Sequence, residues 1–157
     1  PNPLMYEVYV DADACPVKDE VLKVAARHNW PIHMVSNSWM RLPETPLIHR
    51  IVVPKDPDAA DDWIAERAGV GDLVITNDIP LAARCLDWGA RALRPTGKAF
   101  TKDNIGMGLA MRDLSAHLRE TGEISGGPAT FTKQDRSKFL SAMEDAIQAI
   151  HRITRTQ

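Results

Sequence analysis

The fold is decided by one stretch near the N-terminus, LMYEVYVDADACPV, residues 4–17. Its apolar residues alternate from Leu4 to Val10, which predicts a first β-strand that ends at Asp11. Pro16 then suits the first turn of a helix. The buried stripe of that helix is predicted to consist of Val17, Val21, Val24 and Ala25. A strand that runs directly into a helix is the opening unit of an α/β fold.

The same alternation of strands and helices continues along the chain. Apolar runs predict further strands at residues 32–35, 51–53, 73–75 and 90–93. Helical periodicity and stop signals predict helices at residues 58–68 and 80–88, with a loop at 37–47. The run at 73–75 is short and wholly apolar, which is typical of a parallel sheet covered by helices on both faces. These units predict a mostly parallel sheet within a three-layer α/β fold.

The C-terminal part of the chain, about residues 103–155, is predicted to be helical. One apolar stripe consists of Met107, Met111, Leu114 and Leu118. Thr132 and Asp135 resemble a capping box that opens a last helix. Its inward face is predicted to contain Phe139, Leu140, Met143, Ile147 and Ile150. A glycine-rich linker at 122–128 separates the two helices. The chain of 157 residues is near the common domain size of about 100–150, so we expect a single domain over 1–157.

Composition narrows the classes of function. The net charge of −2 and a pI of about 6.2 argue against a constitutively basic binder of nucleic acid or membrane surfaces, but allow a local basic patch. The two cysteines, Cys15 and Cys85, do not form a disulfide framework, which favours a reducing compartment. No apolar run approaches the ~20 residues of a membrane span. Since no signal peptide is evident, a cytoplasmic protein is expected.

Several aspartates lie where an α/β sheet places its functional sites, outside the carboxyl ends of the strands. Asp11 ends the first strand and Asp78 follows the fourth. If these strands are neighbours, the two carboxylates converge, and a hard cation would relieve their repulsion. Asp61 is predicted to point into the apolar face of its helix, with Asp58 at the margin. A charge on that face needs a partner, which a metal ion would supply.

The same aspartates have structural explanations, and the sequence leaves them open. Asp13 can organise the turn into the first helix, because it lies three residues before Pro16. Asp78 can cap the helix that follows it. Asp62 and Asp72 are expected to be solvated.

The motifs together resemble the YaiI/YqxD family of uncharacterised bacterial proteins. The family signature is matched by VDADACPV at 10–17, and DAAD at 58–61 matches a second element. GDLVITNDIPLA at 71–82 matches a third. Smaller matches are Asn37, Met111-Arg112-Asp113, Gly126-Gly127-Pro128, and Asp135-Arg136 with Phe139. The resemblance covers nearly the whole chain, and the order of its motifs is specific.

This family is grouped with PIN-like domains, which are often metal-dependent ribonucleases. The resemblance implies a PIN-like fold with about five strands in the order 3-2-1-4-5. It also implies that Asp11, Asp61 and Asp78 are catalytic and bind Mg²⁺ or Mn²⁺, assisted by Asp13 and Asp58. The residues that we expect to contact RNA are Lys18, Asn37, Arg41, Thr76, Arg112 and Arg136.

Other functions remain open at this stage. A non-catalytic module that binds RNA or protein is compatible with the modest charge. A phosphatase of the haloacid-dehalogenase type also begins with a strand and D-x-D, and uses the first aspartate as nucleophile; Ser36 would imitate its second motif. Cys15 near a helix N-terminus is a weaker candidate for a thiol nucleophile. The five histidines lack the spacing of zinc ligands.

Overall fold

Five parallel strands form one sheet in the computed structural model, which describes residues 6–107 and 130–155. The elements are β1 (Val8–Asp11), α1 (Lys18–His28), β2 (Ile32–Ser36), β3 (Ile48–Val52), α2 (Ala59–Ala65), β4 (Leu73–Ile75), α3 (Ile79–Asp87), β5 (Arg91–Leu93) and α4 (Lys133–Arg155). Residues 102–107 are also helical. The sheet order is β3-β2-β1-β4-β5, which confirms the order implied by the family resemblance.

The alternation of β1 divides the core into two layers. Val8 and Val10 lie in one apolar cluster with residues of α1 and α4. Tyr9, between them in sequence, lies in a second cluster with residues of α2 and α3. Successive side chains of a strand point to opposite faces, so one strand contributes to both layers. The free cysteines are separated in the same way, Cys15 in the first cluster and Cys85 in the second.

The helical stripes predicted for α1 and α4 are buried, whereas Met107, predicted to belong to a third apolar stripe, is 71% exposed. Val17, Val21, Val24 and Ala25 are all inaccessible to solvent. In α4, Phe139, Met143 and Ile147 are equally buried, whereas Leu140 lies at the margin of the cluster. The capping box is confirmed: the Thr132 N–H donates to Asp135 Oδ2 at 3.0 Å, and the Asp135 N–H donates to Thr132 Oγ1 at 3.1 Å.

Several predicted boundaries were wrong, and the reasons are local. β1 begins at Val8, so Tyr6 and Glu7 do not belong to the strand as predicted, and the predicted residues 4 and 5 lie outside the described residues. Pro16 lies in a turn before α1, because Ala14 adopts a left-handed backbone with φ of +65° and the helix starts only at Lys18. β3 begins at Ile48, three residues early, since this edge strand carries polar residues that hide its apolar pattern.

Other sequence expectations were only partly met. The helix predicted at 58–68 ends at Ala65, where Glu66 is the C-cap. Met111, Leu114, Leu118 and the linker at 122–128 lie outside the described residues. Within residues 6–107 and 130–155, no helix combines the length and the apolar character needed to cross a membrane.

Asp72 is not the solvated side chain that we expected. It accepts hydrogen bonds from the backbone N–H of Glu7 at 3.0 Å and from that of Gly69 at 2.9 Å. Glu7 immediately precedes β1 and Asp72 immediately precedes β4. The Leu73 N–H also donates to the Glu7 carbonyl at 3.0 Å. These hydrogen bonds join the amino ends of β1 and β4.

Replacing Asp72 should therefore destabilise the protein. In Asp72→Ala two backbone donors lose their acceptor, and we expect the free energy of unfolding to fall by about 2–3 kcal/mol in urea denaturation. The matched control is Asp62→Ala, which removes a half-exposed carboxylate paired with Arg84 at 2.7 Å. An exposed ion pair contributes at most about 1 kcal/mol, so equal losses in both variants would contradict the role of Asp72.

Candidate functional site

Asp11 and Thr76 lie side by side where the neighbouring strands β1 and β4 end. β1 pairs with β4 in register, Val10 opposite Ile75, so the residues that follow this pair lie side by side. Thr76 Oγ1 donates to Asp11 Oδ2 at 2.9 Å. The Thr76 side chain is 1% exposed, so its hydroxyl has no access to water and depends on these protein partners.

The same hydroxyl also positions Asp78. Thr76 Oγ1 accepts the Asp78 N–H at 2.9 Å. Asp78 is the N-cap of α3, and its Oδ1 accepts the Leu81 N–H at 2.8 Å. The structural explanation of Asp78 is therefore correct. Its capping bond uses Oδ1 and leaves Oδ2 for another partner.

Asp11 and Asp78 line one shallow pocket of about 360 Å³, together with Asn77 and Ile79. The sequence reasoning did not select these last two residues. Their only signal was their position, directly after a buried strand and directly before the helix that Asp78 caps. The pocket confirms that the carboxyl ends of β1 and β4 converge.

Asp61 reaches the same electrostatic environment from α2. Burial raises the pKa of its carboxyl from 3.8 to about 6, with further contributions from the negative charges of Asp78, Asp11 and Asp58. The side chain is half-buried, and Ala60 and Ile64 beside it are buried as predicted. Asp61 does not line the pocket itself. It adds negative charge next to the pocket from a second layer of the fold.

The Asp11 carboxyl is subject to opposing effects. Burial raises its pKa, the hydrogen bond from Thr76 lowers it, and the charges of Asp78 and Asp13 raise it again. The net pKa is above the ordinary value. Desolvation and repulsion between carboxylates thus exceed what the single hydrogen bond contributes.

The described residues do not form a closed metal cage. In residues 6–107 and 130–155, no three His, Cys, Asp or Glu side chains are grouped closely enough to hold an ion. Mg²⁺, however, is usually bound through one or two carboxylates and retains several waters. Asp11 and Asp78, which share one pocket and offer hard oxygen atoms, meet that smaller requirement.

The two helper aspartates occupy different positions. Asp13 is exposed, and its Oδ2 accepts the Asn37 N–H at 2.7 Å, which ties the turn after β1 to the loop after β2. Asp58 is exposed at the N-cap position of α2 and makes no capping bond through its side chain. Asn37 Oδ1 is buried and finds no hydrogen-bond partner among the described residues.

The three basic candidates within the described residues, Lys18, Arg41 and Arg136, do not line the carboxylate pocket. Lys18 donates to the Cys15 carbonyl at 3.2 Å. Arg136 donates to the Pro16 carbonyl and lies 3.4 Å from Glu20, so it braces the start of α1. Arg41 is exposed in the loop after β2. Arg112 lies outside the described residues.

The residues named for two rival chemistries, Cys15 and Ser36, are unsuited to those roles. Burial raises the pKa of the Cys15 thiol, which keeps it protonated, whereas a nucleophilic cysteine needs a lowered pKa. Ser36 is fully buried, and its hydroxyl donates to the Ser38 carbonyl at 2.6 Å. It is therefore not presented to a phosphate, as the second motif of a phosphatase would have to be.

Comparison with known proteins agrees with the family resemblance found in the sequence. Residues 9–149 match the family model described as the uncharacterised YaiI/YqxD family. A UPF0178 protein of Parvibaculum lavamentivorans is 62% identical over 148 residues, covering 94% of this chain and 97% of the relative. One from Rhodospirillum rubrum is 59% identical over 147 residues, covering 93% and 98%. No solved structure matches significantly.

The bridging role of Thr76 predicts the effect of removing its hydroxyl. Thr76→Val keeps the shape but leaves the Asp78 N–H without an acceptor, so we expect about 1–3 kcal/mol of destabilisation in urea denaturation. The pKa of Asp11 should rise further, because it loses its donor. Carbon-13 NMR of the carboxyl groups would follow this titration. Thr76→Ser retains the hydroxyl and should leave both properties nearly unchanged; a similar loss in this variant would indicate packing instead.

The raised pKa of Asp61 predicts a pH dependence. The folded protein holds this proton more tightly than the unfolded chain, so its contribution to stability falls as pH rises from 3.8 to about 6. Asp61→Asn should flatten the stability profile over that range in metal-free buffer. Asp62→Asn removes the neighbouring half-exposed carboxylate and should keep the slope. Thermal unfolding at a series of pH values measures both, and equal slopes for Asp61→Asn and the parent would contradict the electrostatic account.

Proposed function

We propose that this chain, which belongs to the uncharacterised YaiI/YqxD family, is a divalent-metal-dependent nuclease that hydrolyses RNA phosphodiester bonds. One observation carries the proposal: the buried Thr76 hydroxyl contacts both Asp11 and the backbone of Asp78, whose side chains line one pocket. Carboxylates held together at the switch point of a parallel sheet are a typical arrangement for binding a hard cation.

The available oxygen atoms fit such an ion. Asp11 uses Oδ2 for Thr76 and Asp78 uses Oδ1 for α3, so Asp11 Oδ1 and Asp78 Oδ2 are the atoms we assign to the metal. Asp61 would add negative charge from α2. A bound Mg²⁺ or Mn²⁺ supplies Lewis acidity, for an attacking water and for the charge that builds on the phosphate.

The chain's own residues keep this site in place. The Thr76 hydroxyl restrains the Asp11 carboxylate, and the capping bond to Leu81 restrains Asp78. Asp13, through Asn37, holds the loop after β2 against the turn after β1. Preorganised carboxylates lose little conformational freedom when they bind an ion and a phosphate, which favours catalysis. The choice of RNA as substrate is supported by the resemblance to PIN-like domains.

A specific observation favours one alternative, a non-catalytic binding module. Among the described residues the carboxylates do not reach a three-ligand cluster. Asp78 and Asp13 also make structural hydrogen bonds that need no metal. In this alternative the aspartates are anchors and the protein binds RNA or another protein without cleaving it.

Calorimetric titration of Mn²⁺ and Mg²⁺ separates these functions. We expect saturable binding by the parent and loss of binding in Asp11→Asn, which removes one charged ligand. Asp87→Asn changes an exposed carboxylate at the end of α3 and should bind the ion like the parent. Without metal, Asp11→Asn should match or exceed the parent in thermal stability, because repulsion is relieved.

Cleavage is then measured on a fluorescently labelled single-stranded RNA with and without Mn²⁺. Metal-dependent cleavage that Asp11→Asn loses and Asp87→Asn retains would support the nuclease. Metal binding without cleavage of any RNA, or no metal binding at all, would contradict it and leave the binding module as the better description.

A further inference from the structure

An exposed tryptophan lies in the loop that follows β2. Trp39 is 65% exposed, although an indole ring of this size gains from burial. The Arg50 guanidinium, from the edge strand β3, lies over its ring with Cζ 4.6 Å from the centroid. One face of the ring is thus covered by a cation, and the exposed fraction is left for another flat partner.

Arg50 is held in this position by other contacts. Its Nε donates to the Met40 carbonyl at 2.8 Å, and Nη2 lies 3.8 Å from Glu44 Oε1. The Arg50 side chain is only 23% exposed. Because the guanidinium is already fixed, the stack with Trp39 exists before any ligand arrives, and little side-chain entropy remains to be lost on binding.

This stack borders a separate cavity of about 650 Å³, which is within the range of small-molecule sites. Its lining residues are Trp39, Arg41, Leu42, Pro43, Glu44 and Arg50. They comprise two cations and one carboxylate. Glu44 faces Arg50, whereas Arg41 is exposed and has no ion-pair partner within the described part of the chain. The cavity therefore combines an aromatic surface with an available positive charge.

The loop that carries this stack begins beside the turn that follows β1. Asn37, two residues before Trp39, donates its backbone N–H to Asp13 Oδ2 at 2.7 Å. Val35 of β2 pairs with Asp11 of β1. A nucleic-acid strand with one base bound at Trp39 would thus lie beside the carboxyl ends of the β-strands, where Asp11 and Asp78 are located.

We propose that Trp39 and Arg50 form a stacking site for an unpaired nucleobase and that Arg41 contacts its phosphate. Bases of single-stranded nucleic acid stack on tryptophan rings and on guanidinium planes, and neighbouring basic side chains contact the phosphates. A paired base has both faces covered within the duplex, so the site selects single-stranded segments. As part of a substrate site this inference rests on the proposed nuclease function, but the binding can be measured without cleavage.

The test is fluorescence anisotropy with labelled hexauridine in EDTA, using the full chain in the Asp11→Asn background to prevent hydrolysis. Trp39→Ala should weaken binding at least about fivefold, since a base stack contributes about 1–3 kcal/mol. Trp39→Phe, which keeps an aromatic face, should recover most of the affinity. Arg50→Gln should weaken binding as well. Arg41→Gln should reduce the dependence of log K on log salt by about 0.7, the loss of one phosphate contact.

Trp88 provides a matched control. It is also 65% exposed, and within the described residues no guanidinium lies over its ring. Trp88→Ala should bind like the parent. Equal weakening by Trp39→Ala and Trp88→Ala, or unchanged binding in Trp39→Ala, would overturn the proposal.

The source of the base is distinguished by three probes: hexauridine, a DNA hexamer of the same length and free uridine monophosphate. Dependence on Trp39 for any of them supports the stacking site, and the probe affected identifies RNA, any single strand or a free nucleotide as the ligand. Binding that depends on Trp39 without metal-dependent cleavage by the parent would refute the nuclease and keep the stacking site. Cleavage that Trp39→Ala leaves unchanged would do the reverse.

Discussion

The central place of β1 is the constraint on which the remaining structure depends. It pairs with β2 on one side and with β4 on the other. The chain adds β2 and β3 in one direction and then returns to add β4 and β5 in the other. At this reversal the connections leave in opposite directions, and a crevice opens above the carboxyl ends of the central strands. Asp72 joins these strands at their amino ends and Thr76 joins them at their carboxyl ends.

The same pairing brings negative charges together at a cost. Asp11 is half-buried beside Asp78, and Asp61 is near enough for their charges to raise its pKa. Surrounding hydrogen bonds relieve part of this repulsion, since Thr76 donates to Asp11 and the N-terminus of α3 stabilises Asp78. What remains unrelieved is what a cation would neutralise. Structural and metal-binding roles are therefore compatible in one carboxylate, because its two oxygen atoms can have different partners.

The two proposed sites are built from different parts of the fold. The carboxylates come from the strand ends and helix starts of the rigid α/β frame. The stack of Trp39 and Arg50 joins a loop to the edge strand β3, and one hydrogen bond, from Arg50 Nε to the Met40 carbonyl, fixes it to the loop backbone. In many proteins a rigid scaffold positions the loops that bind the ligand. The proposed stacking site would be such a loop, beside carboxylates held by the scaffold. With an overall charge of −2, the proposed contact with nucleic acid would be confined to this local patch.

The sequence by itself determined the elements whose signals are local. Apolar alternation revealed β1, helical spacing revealed the buried stripe of α1, and the Thr132–Asp135 capping box required only neighbouring residues. The tertiary structure alone decided which polar groups meet. Asp62 and Asp72 looked alike in sequence, yet Asp72 is half-buried and accepts a hydrogen bond from the backbone N–H of Glu7, 65 positions away. Thr76 and Asp11 are equally distant along the chain. Such contacts depend on strand order, which local periodicity does not encode, because any order of the same strands would bury the same apolar faces.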